Sequence, residues 1–257
     1  MDGTDISISP LDLYSRLGIA SAPAIIDLRP ELSGQARLII GACRSAANEK
    51  QSSRIALPGN QPVVLYCSDG GEISRSTALV LRTTGMDAHY LEGGFAAWTA
   101  LDLPTRRVIG DTPGHWVTRE RPKIDRIACP WLIARFVDPQ AQFSYVPPAQ
   151  VLTVAQQTGA TPYDIDGVEF SHEGERCSFD TILRIYDIHD PGLDRLAAIV
   201  RGADTSRHDL APQCEGLYAI SIGLSATFPD DHEMLQHGLV IYDALYAWCR
   251  KTQAAAP

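Results

Sequence analysis

One cysteine in this sequence stands where a reactive thiol is expected. Cys67 follows the apolar run Val63-Val64-Leu65-Tyr66, which is typical of a buried strand, and precedes a loop containing Gly70 and Gly71. A helix-like run, Thr77 to Arg82, comes next. A thiol at the start of a helix lies near backbone N–H groups, which favour its thiolate form. The pattern therefore predicts that Cys67 is a nucleophile.

Alternating strands and helices surround this cysteine. The sequence predicts a helix that starts at Ser9-Pro10, strands at Ala24 to Arg29 and Ala88 to Leu91, a short strand or turn at Leu38 to Ile40, and a last helix after Gly93-Gly94 that reaches Trp98. This order is typical of an α/β domain with a parallel sheet, in which reactive groups gather at the carboxyl ends of the strands. Cys67 is at such an end.

Three blocks resemble the rhodanese, or sulfurtransferase, family over roughly residues 5 to 105. They are Ile26-Asp27-Leu28-Arg29, Tyr66-Cys67 with its glycine loop and Ser74, and Leu91-Glu92-Gly93-Gly94 leading to Trp98. The resemblance implies a rhodanese-like parallel sheet in which Cys67 takes a sulfane sulfur from a donor such as thiosulfate and passes it to a nucleophilic acceptor, without a cofactor. We expect Ser74 and Arg75 to donate hydrogen bonds near the thiolate. The expected anion cradle is Ser68, Asp69, Gly70, Gly71, Glu72 and Ile73.

The Cys67 loop departs from the common rhodanese pattern. It has seven residues before Ser74 where six are usual, and Ile73 stands where related seven-residue loops that bind oxyanions have arginine. Asp69 and Glu72 add negative charge where an anionic donor would approach, so thiosulfate is expected to be a poor substrate. The alternative is that this domain is an inactive module for docking or sensing.

Composition narrows the partners and the location. The chain has 257 residues and a formal net charge of −9, which argues against general attraction to nucleic acid or an anionic membrane. We expect a small sulfur donor or oxyanion as ligand, with a protein acceptor as an option. The acidic N-terminus lacks the features of a signal peptide, and the six scattered cysteines suit a reducing compartment. The sequence therefore predicts a cytoplasmic protein.

A linker at 108–114, rich in glycine and proline, is predicted to separate a domain at 1–107 from one at 115–257. Strand patterns in the second domain occur at Phe143 to Val146 and Gly167 to Phe170. Helical patterns are more numerous: Ile127 to Phe136, Gln150 to Thr158, Phe179 to Tyr186, Leu193 to Arg201, Cys214 to Leu224 and Asp231 to Arg250. We expect a mainly α domain with a small sheet.

The second domain resembles the chromate resistance protein family. The matching blocks include Trp116-Val117-Thr118-Arg119, Asp125 to Phe136, Phe170-Ser171-His172 with Cys177 to Asp180, Val200 to Asp204, and Asp230-Asp231-His232 with Tyr242 to Tyr246. The resemblance covers nearly all of residues 115 to 251, and some members carry a rhodanese domain in front. It implies a cytoplasmic accessory or regulatory factor in bacterial chromate resistance. The alternative to sulfur transfer is thus a non-catalytic sensor of chromate or metal.

Cationic residues and metal-ligand types recur in these blocks. Arg119, Arg126 and Arg135 are candidates to bind an oxyanion such as chromate, because guanidinium groups offer paired donors; a solvated face of ion pairs is the alternative. His172, Cys177, Asp231 and His232 are candidate ligands of a divalent metal, although each histidine could equally be structural. Cys129 is expected to be packed, or else to accept sulfur from Cys67.

Overall fold

A computed structural model describes residues 6–30, 32, 36–44, 61–109 and 114–254, with side chains to residue 251. Contacts divide the chain into two compact units. Unit 1 comprises Met1–Val108 with Arg135–Pro139, and unit 2 comprises Ile109–Ala134 with Gln140–Pro257. The short segment Arg135–Pro139 joins unit 1 through contacts such as the hydrogen bond of 2.7 Å that the Gly41 N–H donates to the Phe136 carbonyl.

Unit 1 is an α/β domain with a parallel sheet, as predicted. Its described strands are β1 (Ser7–Ile8), β2 (Ala24–Asp27), β3 (Arg37–Ile39), β4 (Ala42–Arg44), β5 (Val63–Tyr66), β6 (Ala88–Leu91) and β7 (Thr105–Arg107), and its helices are α1 (Pro10–Ser15), α2 (Glu72–Thr83) and α3 (Gly94–Ala100). Five strands pair in parallel in the order β1-β6-β5-β2-β4, while β3 and β7 form an antiparallel pair. The central strand β5 is buried along its whole length.

Two boundaries differ from the sequence pattern. Helix α2 begins at Glu72, well before Thr77, because Gly71 takes the extended backbone of an N-terminal cap. Strand β2 ends at Asp27 and not at Arg29, because the Asp27 carboxylate turns back to accept hydrogen bonds from the Arg29 backbone N–H and guanidinium. This ion pair is buried, and the Arg29 guanidinium also stacks 3.9 Å from the centre of the Phe95 ring.

Unit 2 is rich in helices and has a small parallel sheet in the order β10-β8-β9. Its elements are β8 (His115–Arg119), α4 (Asp125–Leu132), β9 (Gln142–Val146), α5 (Val151–Thr158), β10 (Thr161–Pro162), α6 (Ser178–Ile185), α7 (Pro191–Asp204), α8 (Cys214–Thr227) and α9 (Asp231–Ala254). The predicted strand at Gly167 to Phe170 is wrong. Phe170 makes only a single bridge to Tyr163, and Gly167 has a φ of +82° that breaks an extended strand.

The core of unit 2 centres on Trp131, which is fully buried on α4. Its ring packs against Phe179, Tyr242 and Tyr246, and its Nε1 donates a hydrogen bond of 2.7 Å to Asp243. On α9, Met234, Tyr242 and Tyr246 are buried, whereas Trp248 is 44% exposed. Among the described residues, no helix combines the length and the apolar character needed to cross a membrane.

Candidate functional site

Cys67 lies directly after β5, at the carboxyl end of the central strand of the parallel sheet. Its Sγ is 3.3 Å from the Ser74 Oγ and 3.5 Å from the Asp69 Oδ1, which accepts a hydrogen bond from the thiol. Cys67 is 5% exposed and Ser74 is fully buried. The sulfur thus contacts one hydroxyl and one carboxylate in a largely enclosed position.

The first turn of α3 and the glycine before it pack against this loop. The backbone N–H groups of Phe95 and Ala96 donate hydrogen bonds of 2.9 Å to the carbonyls of Cys67 and Ser68. Gly70, with a φ of +70°, approaches so closely that a Cβ there would lie 2.6 Å from the Gly93 nitrogen. The backbones of Gly93 and Gly94 and of the Cys67 loop therefore pack directly against each other, which requires glycine at the point of contact.

The Cys67 loop carries an anionic group of its own, the Asp69 carboxylate. The Gly71 N–H, which could have bound an external oxyanion, donates a hydrogen bond of 3.0 Å to the Asp69 Oδ1. This bond and the one from Cys67 hold the pKa of Asp69 below its usual value, so its carboxylate is ionised at neutral pH. An anionic donor would have to compete with a fixed negative charge beside the sulfur.

The other residues of the predicted anion cradle lie around the Cys67 sulfur, and most of them are exposed. Ser68 is exposed and Gly70 is half-buried in the loop, whereas Glu72 and Ile73 are exposed in the first turn of α2. Arg75 is also exposed, and within the described part of the chain it makes no hydrogen bond to Cys67 or Ser74. Of the two predicted donors, the structure brings only Ser74 to the sulfur.

The predicted arginines of the oxyanion site are engaged with protein groups. Arg119 donates to both the carbonyl and the carboxylate of Asp164, at 2.8 and 3.0 Å. The Arg126 Nε lies 3.3 Å from the same carboxylate, and burial lowers the pKa of Arg126. Arg135, which belongs to unit 1, is half-buried in the π-helical turn Ile133–Val137. Arg119 and Arg126 therefore form an ion-pair group with Asp164 and do not present a free pair of donors.

His172 is surrounded by carboxylates. Its Nε2 lies 3.2 Å from Asp204, 3.4 Å from Asp164 and 3.6 Å from Asp125. The hydrogen bond with Asp164, together with that to Asp204, raises the pKa of His172 to about 10. Without another cation at this place, the imidazole is protonated at neutral pH.

The other three predicted metal ligands have different partners. Cys177 is buried at the N-terminal cap of α6, where its N–H and Sγ contact Asp180, and burial raises the pKa of the thiol. The Asp231 carboxylate accepts a hydrogen bond of 2.9 Å from the Arg121 backbone N–H. The His232 ring is 5.6 Å from the Tyr145 ring. The predicted set of four ligands is not assembled in the structure. Cys129 is fully buried, which raises the pKa of its thiol.

Two important residues, Asp125 and Asp164, were not singled out by their sequence pattern. With His172 they form the one group of potential metal ligands found among the described residues. Each had a weak signal: Asp164 comes soon after a short strand, and Asp125 begins a helix that is apolar from Ile127 onward. No pattern in the sequence indicated that these two carboxylates lie beside His172.

The site and fold define a protein with a rhodanese-like α/β domain followed by a helix-rich domain. The family model described as the rhodanese-like domain matches residues 9–101, and the model described as the ChrB C-terminal domain matches residues 116–249. The second match covers more than half of the chain. The chain therefore belongs to the ChrB family, and both resemblances predicted from the sequence are confirmed.

Known proteins match parts of the chain. Protein ChrB of Cupriavidus metallidurans is 33% identical over 133 residues, which is 51% of this chain and 40% of that relative, so the match spans less than half of the relative's length. A Lactobacillus plantarum protein is 26% identical, with 39% of this chain and 87% of that chain covered and a TM-score of 0.32. A thiosulfate sulfurtransferase from Pseudomonas aeruginosa is 24% identical, with 41% and 20% covered and a TM-score of 0.31.

Proposed function

We propose that this protein serves in chromate resistance and that its rhodanese-like domain carries a sulfane sulfur as a persulfide on Cys67. Membership of the ChrB family supports the first part. The observation that carries the second is the contact of 3.3 Å between the Cys67 Sγ and the Ser74 Oγ. The single proton of the Ser74 hydroxyl can point to the Gly71 carbonyl or to the sulfur, and when it points to the sulfur it stabilises the thiolate.

The reaction is a redox-neutral transfer in two displacements. The Cys67 thiolate attacks the outer sulfur of a donor persulfide; the donor's S–S bond breaks, its thiolate leaves, and a new S–S bond forms on Cys67. A nucleophilic acceptor then attacks that outer sulfur and the Cys67 thiolate leaves. The proton of the resting thiol passes to water in the first step.

The charge beside the sulfur selects the donor. The ionised Asp69 carboxylate lies 3.5 Å from the Cys67 Sγ and repels a dianion such as thiosulfate. A small alkyl persulfide or a persulfide on a protein brings less charge and is the proposed donor. The proposed setting is the cytoplasm, whose reducing conditions suit the free thiols of all six cysteines.

Mass spectrometry of the purified chain tests sulfur transfer. After incubation with cysteine persulfide, we expect the peptide containing Cys67 to gain the mass of one sulfur atom, and thiosulfate to load it more slowly. Cys67→Ser removes the loading, and Cys43→Ser is the matched control that retains it. If the wild type and Cys67→Ser remain equally free of added sulfur with both donors, the proposal is wrong.

A non-catalytic regulator that responds to chromate or metal is the second candidate. It is favoured by the exposed position of Arg75. Among the described residues this cation makes no hydrogen bond to Cys67 or Ser74, and an oxyanion donor needs such a cation beside the sulfur. Calorimetric titration of the full chain with chromate and with sulfate tests it. Chromate binding that persists in Cys67→Ser, together with no sulfur loading in the wild type, would favour this function.

A further inference from the structure

We propose that unit 2 binds one divalent transition-metal ion between Asp125, Asp164 and His172. One ligand atom from each residue lies within 4.8 Å of the other two. Metal bonds to nitrogen and oxygen ligands are about 2.0–2.2 Å long, so a slight contraction of the group places all three atoms around one ion. The proposal concerns other residues than Cys67 and does not depend on sulfur transfer.

One oxygen of the Asp125 carboxylate is buried without a hydrogen-bond partner among the described residues. Its side chain is fully buried, and its Oδ2 accepts a hydrogen bond of 2.5 Å from the Ser178 N–H. Its Oδ1 is also buried but has no hydrogen-bond partner anywhere in the part of the chain that the structure describes. Leaving a buried carboxylate oxygen unpaired is costly, and a bound cation removes that cost.

The neighbouring groups orient the Asp164 carboxylate for the same ion. Arg119 and Arg126 contact its Oδ2, and the Ser178 hydroxyl donates a hydrogen bond of 2.8 Å to its Oδ1. Such outer partners hold the ligands of metal sites in place. Ser178 therefore contacts both carboxylates, because its N–H binds Asp125 while its hydroxyl binds Asp164.

Charge and access also favour a cation. Three carboxylates, those of Asp125, Asp164 and Asp204, gather around His172, whereas Arg119 and Arg126 supply two guanidinium groups. The His172 side chain is 41% exposed, so the site is open to solvent on that side.

The mixture of ligands indicates the class of metal. An imidazole nitrogen with carboxylate oxygens suits first-row divalent ions such as Mn²⁺ and Zn²⁺. Mg²⁺ and Ca²⁺ prefer oxygen ligands throughout and gain little from His172. We therefore expect Mn²⁺ or Zn²⁺ to bind more tightly than Mg²⁺ or Ca²⁺.

Titration calorimetry of the full chain, stripped of metal by a chelator, tests this site. We expect one Mn²⁺ or Zn²⁺ per chain. His172→Gln should weaken binding by about tenfold or more, since it removes a direct ligand, and Asp125→Asn should do the same. The matched control is His189→Gln, because His189 is 82% exposed and paired with Asp187 outside this group.

Three results of this titration would show that Asp125, Asp164 and His172 have only a structural role. If neither Mn²⁺ nor Zn²⁺ binds, the proposal is overturned. Unchanged affinity in His172→Gln, with the fold verified by circular dichroism, also overturns it, as does a preference for Mg²⁺ or Ca²⁺. Should Asp125→Asn not fold, His172→Gln decides the question alone.

Discussion

The Ser74 Oγ lies 3.3 Å from the Cys67 Sγ, and both residues are buried. The same hydroxyl is 3.3 Å from the Gly71 carbonyl, so its single proton alternates between that carbonyl and the sulfur. Because Ser74 belongs to the first turns of α2, these contacts tie the sulfur to the start of that helix. The reactivity of Cys67 should therefore depend on one hydroxyl group.

Ser74→Ala should lower the rate at which iodoacetamide alkylates Cys67. A hydrogen bond of this kind contributes about 1 kcal/mol, which corresponds to a roughly fivefold lower rate. The measurement is the rate of labelling of the Cys67 peptide by mass spectrometry. Ser76→Ala is the control, because the Ser76 hydroxyl is exposed and donates to the Ile73 carbonyl. Equal rates in the wild type and Ser74→Ala would contradict the assigned role.

Asp69→Asn should favour anionic reagents at Cys67. The substitution removes the charge that lies 3.5 Å from the sulfur, and an asparagine Oδ1 can still accept the Gly71 N–H. We expect iodoacetate labelling to rise about two- to fivefold more than iodoacetamide labelling. Glu72→Gln, which changes an exposed charge in the first turn of α2, should have the smaller effect. A ratio unchanged by Asp69→Asn would show that Asp69 does not select the reagent.

Gly94→Ala should destabilise unit 1 more than Gly85→Ala. Both glycines have positive φ, +56° and +88°, so each alanine costs about 1–2 kcal/mol of backbone strain. A Cβ at Gly94 would also meet the Asp69 nitrogen at 2.9 Å, whereas one at Gly85 meets none of the described atoms within 4 Å. Urea unfolding measures the difference. Equal losses for the two variants would mean that the Cys67 loop can move to accommodate the new methyl group.

Cys43 should react with thiol reagents only at high pH. Burial, and then the charge of Asp138, raises the pKa of its thiol to about 11. At pH 8 about one molecule in a thousand carries the thiolate, and this fraction rises about tenfold per pH unit up to pH 10. The labelling rate of the Cys43 peptide should follow the same slope. A rate that is flat between pH 8 and 10 would contradict the buried environment of this thiol.

Much of unit 1 could be predicted from local patterns. The run Val63 to Tyr66 and the glycines after Cys67 mark a strand, a turn and a helix through consecutive residues, and the structure has these elements in that order. The start of α2 was harder to place, because Gly71 serves as its cap without a side chain that could signal it. The prediction of a strand at Gly167 to Phe170 was wrong, because Phe170 pairs with Tyr163 through an isolated bridge and not with a continuous strand.

The sequence by itself determined the two family resemblances and the position of Cys67 at the end of a strand, because apolar periodicity, turn residues and motif blocks lie in neighbouring positions of the chain. Only the tertiary structure decided which side chains meet. Asp125, Asp164 and His172 come from a helix start and two loops, and Ser178 at the start of α6 donates hydrogen bonds to both carboxylates. Likewise, Asp69 is a nearby charge in the sequence, but only the folded loop shows that it takes the Gly71 N–H and faces the sulfur. Packing between distant segments sets such distances, and no local pattern records them.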